Sequence, residues 1–315
     1  MVKSGKMPSA MEYTILKVIT VIGVGETGVK AVRSMRTFPL QREAVTLACA
    51  CADDSALAGA DASIIPLCGK LEGGFDSAGC RNILTGVRMV VVVAGLDEHV
   101  QFGVTPLIAG IAKELGALVV CIVAMPLTTE NSNDATGGAL LFLHRNVDCL
   151  MPVSVPFFTN TCRKVPSESI QEKVIGAMCN AVKSILMLFP DNFEDGLICL
   201  DFADLQDVLS LSCIAVAGLG IASGKKRASK AVQRALGRLP FDMHPTRFKR
   251  LMYNITAPDD VTADEIKEIH DILSKDFSED CSSIFGLQIG TDIDGAIWVS
   301  ILASTDALGK TVKWT

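Results

Sequence analysis

The sequence predicts an α/β protein: a parallel-sheet domain with helices on both faces, a long central helix, and a smaller α/β domain behind it. Three observations carry that prediction. Short, Gly-bounded apolar runs of the buried-parallel-strand type alternate with stretches of helical period. One amphipathic stretch from about residue 167 to 189 is far longer than its neighbours. A second set of strand and helix signals follows residue 195, with no low-complexity linker before it and no internal repeat. The predicted boundaries are 1–195 for the first domain, central helix included, and 196–315 for the second.

The first strand, Lys17 to Gly23, runs into a Gly-rich turn and a helix over Val29 to Met35. A strand over Ala44 to Ala50 follows. Val90-Val91-Val92-Val93-Ala94-Gly95 is a buried strand, Val104 to Gly116 opens a helix, and Leu118 to Val123 is the next strand. Asn146 to Val153 reads as a further βα-type segment. In the central helix Ser167 is the expected N-cap, and Ile170, Val174, Ala177, Ala181, Ile185 and Leu188 share one stripe. Pro190-Asp191-Asn192 ends it. Beyond residue 195, strands are expected near Ser212 to Val216, Arg250 to Thr256 and Ala296 to Ala303. Helices are expected near Arg227 to Leu236 and Thr262 to Leu273.

Composition excludes several function classes. The net charge is −6, so no basic footprint for nucleic acid exists. The one basic cluster, Lys225-Lys226-Arg227 with Lys230, reads as a solvated helix face. Mean hydropathy is high at +0.39, yet no apolar run reaches the roughly 18 residues of a membrane span. Direct membrane insertion is not expected. Met1 to Lys17 lacks a secretory h-region, which places the chain in the cytoplasm. Eleven cysteines, an odd number with no CxxC pair, read as buried reduced thiols. With four scattered histidines no metal site is expected.

The chemistry-bearing segments resemble the tubulin/FtsZ family. Leu200-Asp201-Phe202-Ala203-Asp204-Leu205 is similar to the family's N-x-D-F-A-D-V, and Ala217-Gly218-Leu219-Gly220-Ile221-Ala222-Ser223-Gly224 to M-G-x-G-x-A-S-G. Asn254-Ile255-Thr256, Asp264-Glu265 and Gly290-Thr291 resemble its C-terminal domain. The resemblance covers roughly residues 18 to 305 and implies an FtsZ/tubulin-like fold. In that family nucleotide lies on one face of a subunit, and the next subunit presents an acidic loop to the γ-phosphate. Each half of that composite site is therefore weighed separately.

The nucleotide half departs from the pattern. Gly23-Val24-Gly25-Glu26-Thr27-Gly28-Val29-Lys30-Ala31 stands where the family has G-V-G-G-G-G-G-N-A. Leu71-Glu72-Gly73-Gly74-Phe75-Asp76-Ser77 stands for G-A-G-G-N-P-E. Asp97-Glu98-His99-Val100-Gln101-Phe102-Gly103 stands for the signature loop G-G-G-T-G-T-G, with six of seven positions changed. Gly23, Gly25, Gly28, Gly73, Gly74, Gly95 and Gly103 are what is left of the phosphate cradle, and Glu130 matches the ribose-contacting Glu. The family's P-N-D-K segment reads Pro152-Val153-Ser154-Val155, and its base-contacting Asp falls at or near Gly176. Glycines let backbone N–H groups close on phosphate oxygens, whereas Glu26, Glu72, Asp97 and Glu98 would face a triphosphate. Like charges about 4 Å apart cost roughly 4 kcal/mol each at an effective dielectric near 20, before screening. Adjacent Asp97, Glu98 and His99 rarely converge on one ion.

The acidic half is kept. Asp201 and Asp204 fall on the family's two acidic positions, with Cys199 in place of the Asn. They read either as a loop kept for packing or as acids that act on a neighbouring subunit's nucleotide. The resemblance therefore implies an FtsZ-like filament protein that has lost GTP binding and has no resident cofactor. It would work by self-association or on FtsZ filaments, where repulsion between Asp201/Asp204 and the acids of the next crevice would weaken that junction. The alternative is a divergent GTPase that binds GTP, or a specialised scaffold. With the chain ending at Thr315, the linker and terminal peptide that recruit membrane anchors in FtsZ are not expected, nor is an independent division-ring role.

Overall fold

In the computed structural model the described residues are 19–35, 45–50, 64–66, 75–95, 103–125, 142–153, 167–188, 196–209, 213–239, 245–290 and 293–306. One continuous eleven-stranded sheet organises them, in the order β3-β2-β1-β4-β5-β6-β8-β11-β9-β10-β7. The strands are β1 (Ile19–Val24), β2 (Val45–Ala50), β3 (Ile64–Pro66), β4 (Met89–Gly95), β5 (Leu118–Ala124), β6 (Cys149–Val153), β7 (Gly196–Ile198), β8 (Cys213–Ala222), β9 (Arg250–Ala257), β10 (Ser282–Ile289) and β11 (Ile297–Thr305). The helices are α1 (Gly25–Ser34), α2 (Ser77–Leu84), α3 (Val104–Glu114), α4 (Ser167–Leu186), α5 (Phe202–Leu209), α6 (Arg227–Leu236) and α7 (Ala263–Asp276).

The first six strands are all parallel. β4 is buried along Met89 to Ala94 and β5 along its whole length. That explains their unbroken Val/Ile runs: helices cover both faces, so no strand position faces water. Beyond β6 the sheet turns mixed, with β11 antiparallel to both β8 and β9. The change takes place at a narrow seam. β6 and β8 pair only at Cys149↔Cys213 and Leu150↔Ile214.

Past that seam α4 takes over. The Asn180 side chain accepts from Leu219 N at 3.0 Å and donates to Leu219 O at 3.1 Å, so one amide satisfies both groups that a neighbouring strand would have met. The buried Ser184 hydroxyl is 3.0 Å from the carbonyls of Gly218 and Ile301. On the opposite face α6 presses so close that a Cβ on Gly220 would lie 2.0 Å from Ala231 O, and one on Gly218 2.5 Å from Ala235 O. Of the stripe expected on α4, Ile170, Val174, Ala181, Ile185 and Leu188 are buried, and Ala177 is half-buried against the same core. That core runs through both halves, from Val21 and Val91 to Met252 and Leu302. Ser167 is itself the first helical residue rather than the cap before it.

Two elements carry no clear period in the sequence. β10 is interrupted by Gly286, which is required because a Cβ there would meet Asn254 Oδ1 at 2.5 Å and Leu200 Cγ at 2.9 Å. α5 begins inside the segment read as a loop and is treated below. Six of the eight described cysteines are buried, Cys281 is half-buried and Cys199 is exposed. Burial pushes the Cys121 thiol up to about 12 and Cys80 to about 11, which leaves both unreactive. Among the described residues no helix is long and apolar enough to cross a membrane.

The basic cluster divides. Lys225, Lys226 and Lys230 are exposed. Arg227 is not part of a solvated face: its side chain is 11% exposed and grips Glu265 through Nε and Nη2, Asp260 through Nη2 and Gly295 O through Nη1. Glu265 also closes a capping box with Thr262 at the start of α7. The Arg227 hydrogen bonds hold the Glu265 carboxyl below its ordinary value. A depressed carboxylate stabilises the fold above its unfolded pKa, about 4.3, and that stabilisation is lost as pH falls through the folded value. Arg227→Met should therefore cost about 2 kcal/mol at neutral pH. In thermal melts the gap between variant and parent should narrow below about pH 4.

Candidate functional site

β1 sits between β2 and β4, so the strand order reverses there. In open α/β sheets ligands bind outside the carboxyl ends of the strands at such a point. Here β1 ends in Gly23 and Val24, α1 starts at once on Gly25, β4 ends in Gly95, and α3 starts behind Gly103. Neither helix start has a side-chain cap. Val24 is the N-cap of α1 and Gly103 that of α3, and neither makes a capping bond. Helix starts of this kind direct their first-turn N–H groups outward from the helix end.

The surviving glycines have reasons in packing. A Cβ on Gly23 would lie 2.4 Å from Gly28 O, and one on Gly28 would lie 2.1 Å from Val93 O. Only glycine lets α1 sit this low on β1 and β4. Gly25 has φ +70° at the strand-to-helix corner, which glycine adopts without strain. Gly95 differs: its Cβ would meet Thr27 Oγ1 at 3.2 Å and Thr27 Cβ at 3.3 Å. Thr27, on the first turn of α1, thus lies beside the end of β4. Glu26, in the first turn of α1, points back to Lys30 at 2.5 Å, and both side chains are exposed. Such a surface pair contributes well under 1 kcal/mol, but it puts a carboxylate at the positive end of the helix.

The structure thus brings Gly23, Gly25, Gly28, Gly95 and Gly103 to one edge of the sheet. Gly73, Gly74 and Glu130 lie outside the described residues, as do Glu72, Asp97, Glu98 and His99. Gly176 on α4 is exposed, with nothing within 4 Å of an added Cβ. Among the described residues no group of three His, Cys, Asp or Glu side chains is placed to hold a metal ion. Sequence reasoning did not single out Thr105. It stands on the first turn of α3, is fully buried, and its hydroxyl has no partner among the described residues.

Asp201 ends the loop before α5, and Asp204 stands in the helix's first turn. Asp201 caps α5 by accepting from Asp204 N at 2.8 Å, and Asp204 returns the bond by accepting from Asp201 N at 2.9 Å. This is a capping box with Asp at both ends. The helix buries Phe202, Leu205, Val208 and Leu209. Each acid spends one oxygen on the backbone. Asp201 stays exposed and Asp204 half-exposed. The helix is held at its end by Ser304, which donates to Val208 O at 2.5 Å.

This fold is an open α/β sheet with a switch-point crevice, joined to a smaller mixed-sheet half, with a capped acidic pair on a separate helix. Residues 213–306 match the family model described as "FtsZ family, C-terminal domain". The chain is 30% identical over 317 residues to the cell division protein FtsZ of Rickettsia conorii, covering 94% of this chain and 69% of that protein. It is 28% identical over 306 residues to the cell division protein FtsZ of Coxiella burnetii, covering 91% and 78%. Among solved structures, an empty FtsZ dimer of M. jannaschii superposes with a TM-score of 0.76 at 23% identity, over 92% of this chain and 88% of that one. GDP-bound CetZ1 from Haloferax volcanii gives 0.68 at 15%, over 94% and 96%. The chain belongs to the FtsZ family, as a divergent member.

The capping box makes the acidic pair a stability element in its own right. Asp201→Ala should cost about 1 kcal/mol, read as a melting temperature lower by a few degrees, while Asp201→Asn should retain most of it. An unchanged melt for Asp201→Ala would mean that the reciprocal cap contributes nothing.

Proposed function

We propose that this chain is an FtsZ-like filament protein whose own crevice no longer takes GTP, and that it acts in cell division by self-assembly or by modulating filaments of an FtsZ. The observation that carries the reading is Thr27 set beside Gly95. A phosphate held by two helix starts needs bare backbone nearby, and here the Thr27 side chain lies against the end of β4. Glu26 adds a carboxylate on the same first turn, and the sequence adds Glu72, Asp97 and Glu98 in the two other phosphate loops. A triphosphate does not fit this donor set. On this reading the chain performs no hydrolysis alone, and its acids, Asp201 and Asp204, serve a neighbouring subunit if they serve chemistry at all.

The second reading, a divergent GTP-binding GTPase, has two observations behind it. The starts of α1 and α3 are uncapped by side chains, and the buried Thr105 hydroxyl beside the second has no partner among the described residues. Both would suit a polar guest.

Calorimetric titration of the purified full chain with GTP and magnesium separates the two. The expected dissociation constant is weaker than about 10 μM, roughly −7 kcal/mol. Tighter binding would establish the second reading instead.

A further inference from the structure

Sulfur sits on both sides of the seam between the two halves. Cys149 opens β6 and Cys213 opens β8, and the two stand directly across from each other in parallel register. They are one of only two residue pairs that join these strands. Neighbouring strands lie about 4.8 Å apart, inside the Cα separation of roughly 4.4–6.8 Å that a disulfide spans. Residues in register point to the same face of a sheet. Both side chains belong to the core shared by the two halves and are fully shielded from water. The Cys149 thiol is hydrogen-bonded to the Cys213 sulfur. Cys121, on the adjacent β5, lies on the other face of the sheet, in a separate core with Val92 and Leu150.

The corner before the pair is pinned. Cys213 N donates to the carbonyl of Asp148 at 3.1 Å, and Asp148 N donates to Val119 O at 2.9 Å. The Asp148 carboxylate accepts from Val119 N at 2.8 Å and meets Lys113 at 3.1 Å. Asp148 thus ties the start of β6 both to β5 and to β8. Holding two reacting groups in contact replaces a bimolecular encounter by an intramolecular one. Burial holds the Cys149 thiol well above its ordinary value, and the contact with Cys213 adds to the effect. A lasting thiolate or a charged sulfur oxide is costly in such a place. A disulfide is neutral and is the oxidised product this core accepts.

We propose that Cys149 and Cys213 are a redox-active dithiol that hydrogen peroxide converts to a disulfide, stapling β6 to β8 across the seam. One thiolate, formed when this end of the sheet opens locally, attacks a peroxide oxygen and the O–O bond breaks. The sulfur becomes a sulfenic acid, and the departing hydroxide takes up the proton that the thiol lost and leaves as water. The second thiol then displaces the sulfenic hydroxyl, which leaves as a second water with that thiol's proton. Two thiols are oxidised and one peroxide is reduced. The bridge closes residues 149–213, which carry α4, β7 and α5, into a loop. It restrains the unfolded chain and adds a covalent link where strand pairing is thinnest.

The full chain is purified under reductant, freed of it, and treated with hydrogen peroxide while folded. Remaining thiols are blocked, and an unreduced digest is mapped by mass spectrometry. The peptide linking Cys149 to Cys213 should be the main intramolecular link. The oxidised chain should melt about 5 °C or more above the reduced one, and dithiothreitol should reverse both changes. Cys213→Ala should show neither the link nor the gain. The same oxidation in urea should scatter links among the eleven cysteines. A folded chain in which both thiols survive, or pass to sulfinic acids unlinked, would overturn the proposal. So would a scatter equal to that in urea, a bridged chain that melts like the reduced one, or a Cys213→Ala chain that gains the same stability. Should Cys213→Ala fail to fold, the peptide map and the melts of the wild-type chain still decide.

Discussion

The close approach of α1 to β1 and β4 sets the geometry of the crevice edge. Gly23 and Gly28 let backbone lie against backbone, at 2.4 and 2.1 Å for the missing Cβ atoms, and no side chain could be inserted without lifting the helix. That contact fixes where the first turn of α1 falls relative to the end of β4. Two residues of that turn are not glycine where the family pattern has glycine. With Glu26 and Thr27 the turn holds a carboxylate and a branched side chain against Gly95. The scaffold of a phosphate site and the occupants of that site are thus separable, and this chain keeps the first while changing the second.

The same economy holds the two halves together. Only two residue pairs join β6 to β8, so the seam gains little from strand pairing. α4 compensates with directional bonds from Asn180 and Ser184 to the backbone of β8 and β11, and with an apolar stripe that belongs to the core of both halves. Arg88 on Phe202 adds a further tie from the first half to the helix bearing Asp201 and Asp204. The crevice and the acidic helix are therefore built onto one continuous sheet.

Much of this was legible in the sequence where burial is uniform. The all-apolar runs of β4 and β5 and the long stripe of α4 announced themselves because every position, or every third and fourth, is forced by packing. β10 was not legible, because Gly286 and two serines break the apolar pattern for the sake of Asn254 and Leu200. Arg227 looked like surface charge because the sequence cannot show that Glu265 and Asp260 fold back onto it. In the candidate site, the glycines were read as ligand contacts, and the structure gives Gly23 and Gly28 a packing reason as well. Arg88 had no signal at all: only the fold brings it from the start of β4 onto α5. The acidic pair was found by its resemblance to the family's acidic positions, yet its helix was missed, since a capping box of two aspartates reads equally as a polar loop.

The central claim is that the scaffold of the crevice survives while its capacity for nucleotide is gone. The most direct measurement is to purify the chain without added nucleotide, denature it, and quantify guanine nucleotide in the supernatant by chromatography. The account predicts a small fraction of a mole per mole of protein. Release near one mole per mole would contradict it.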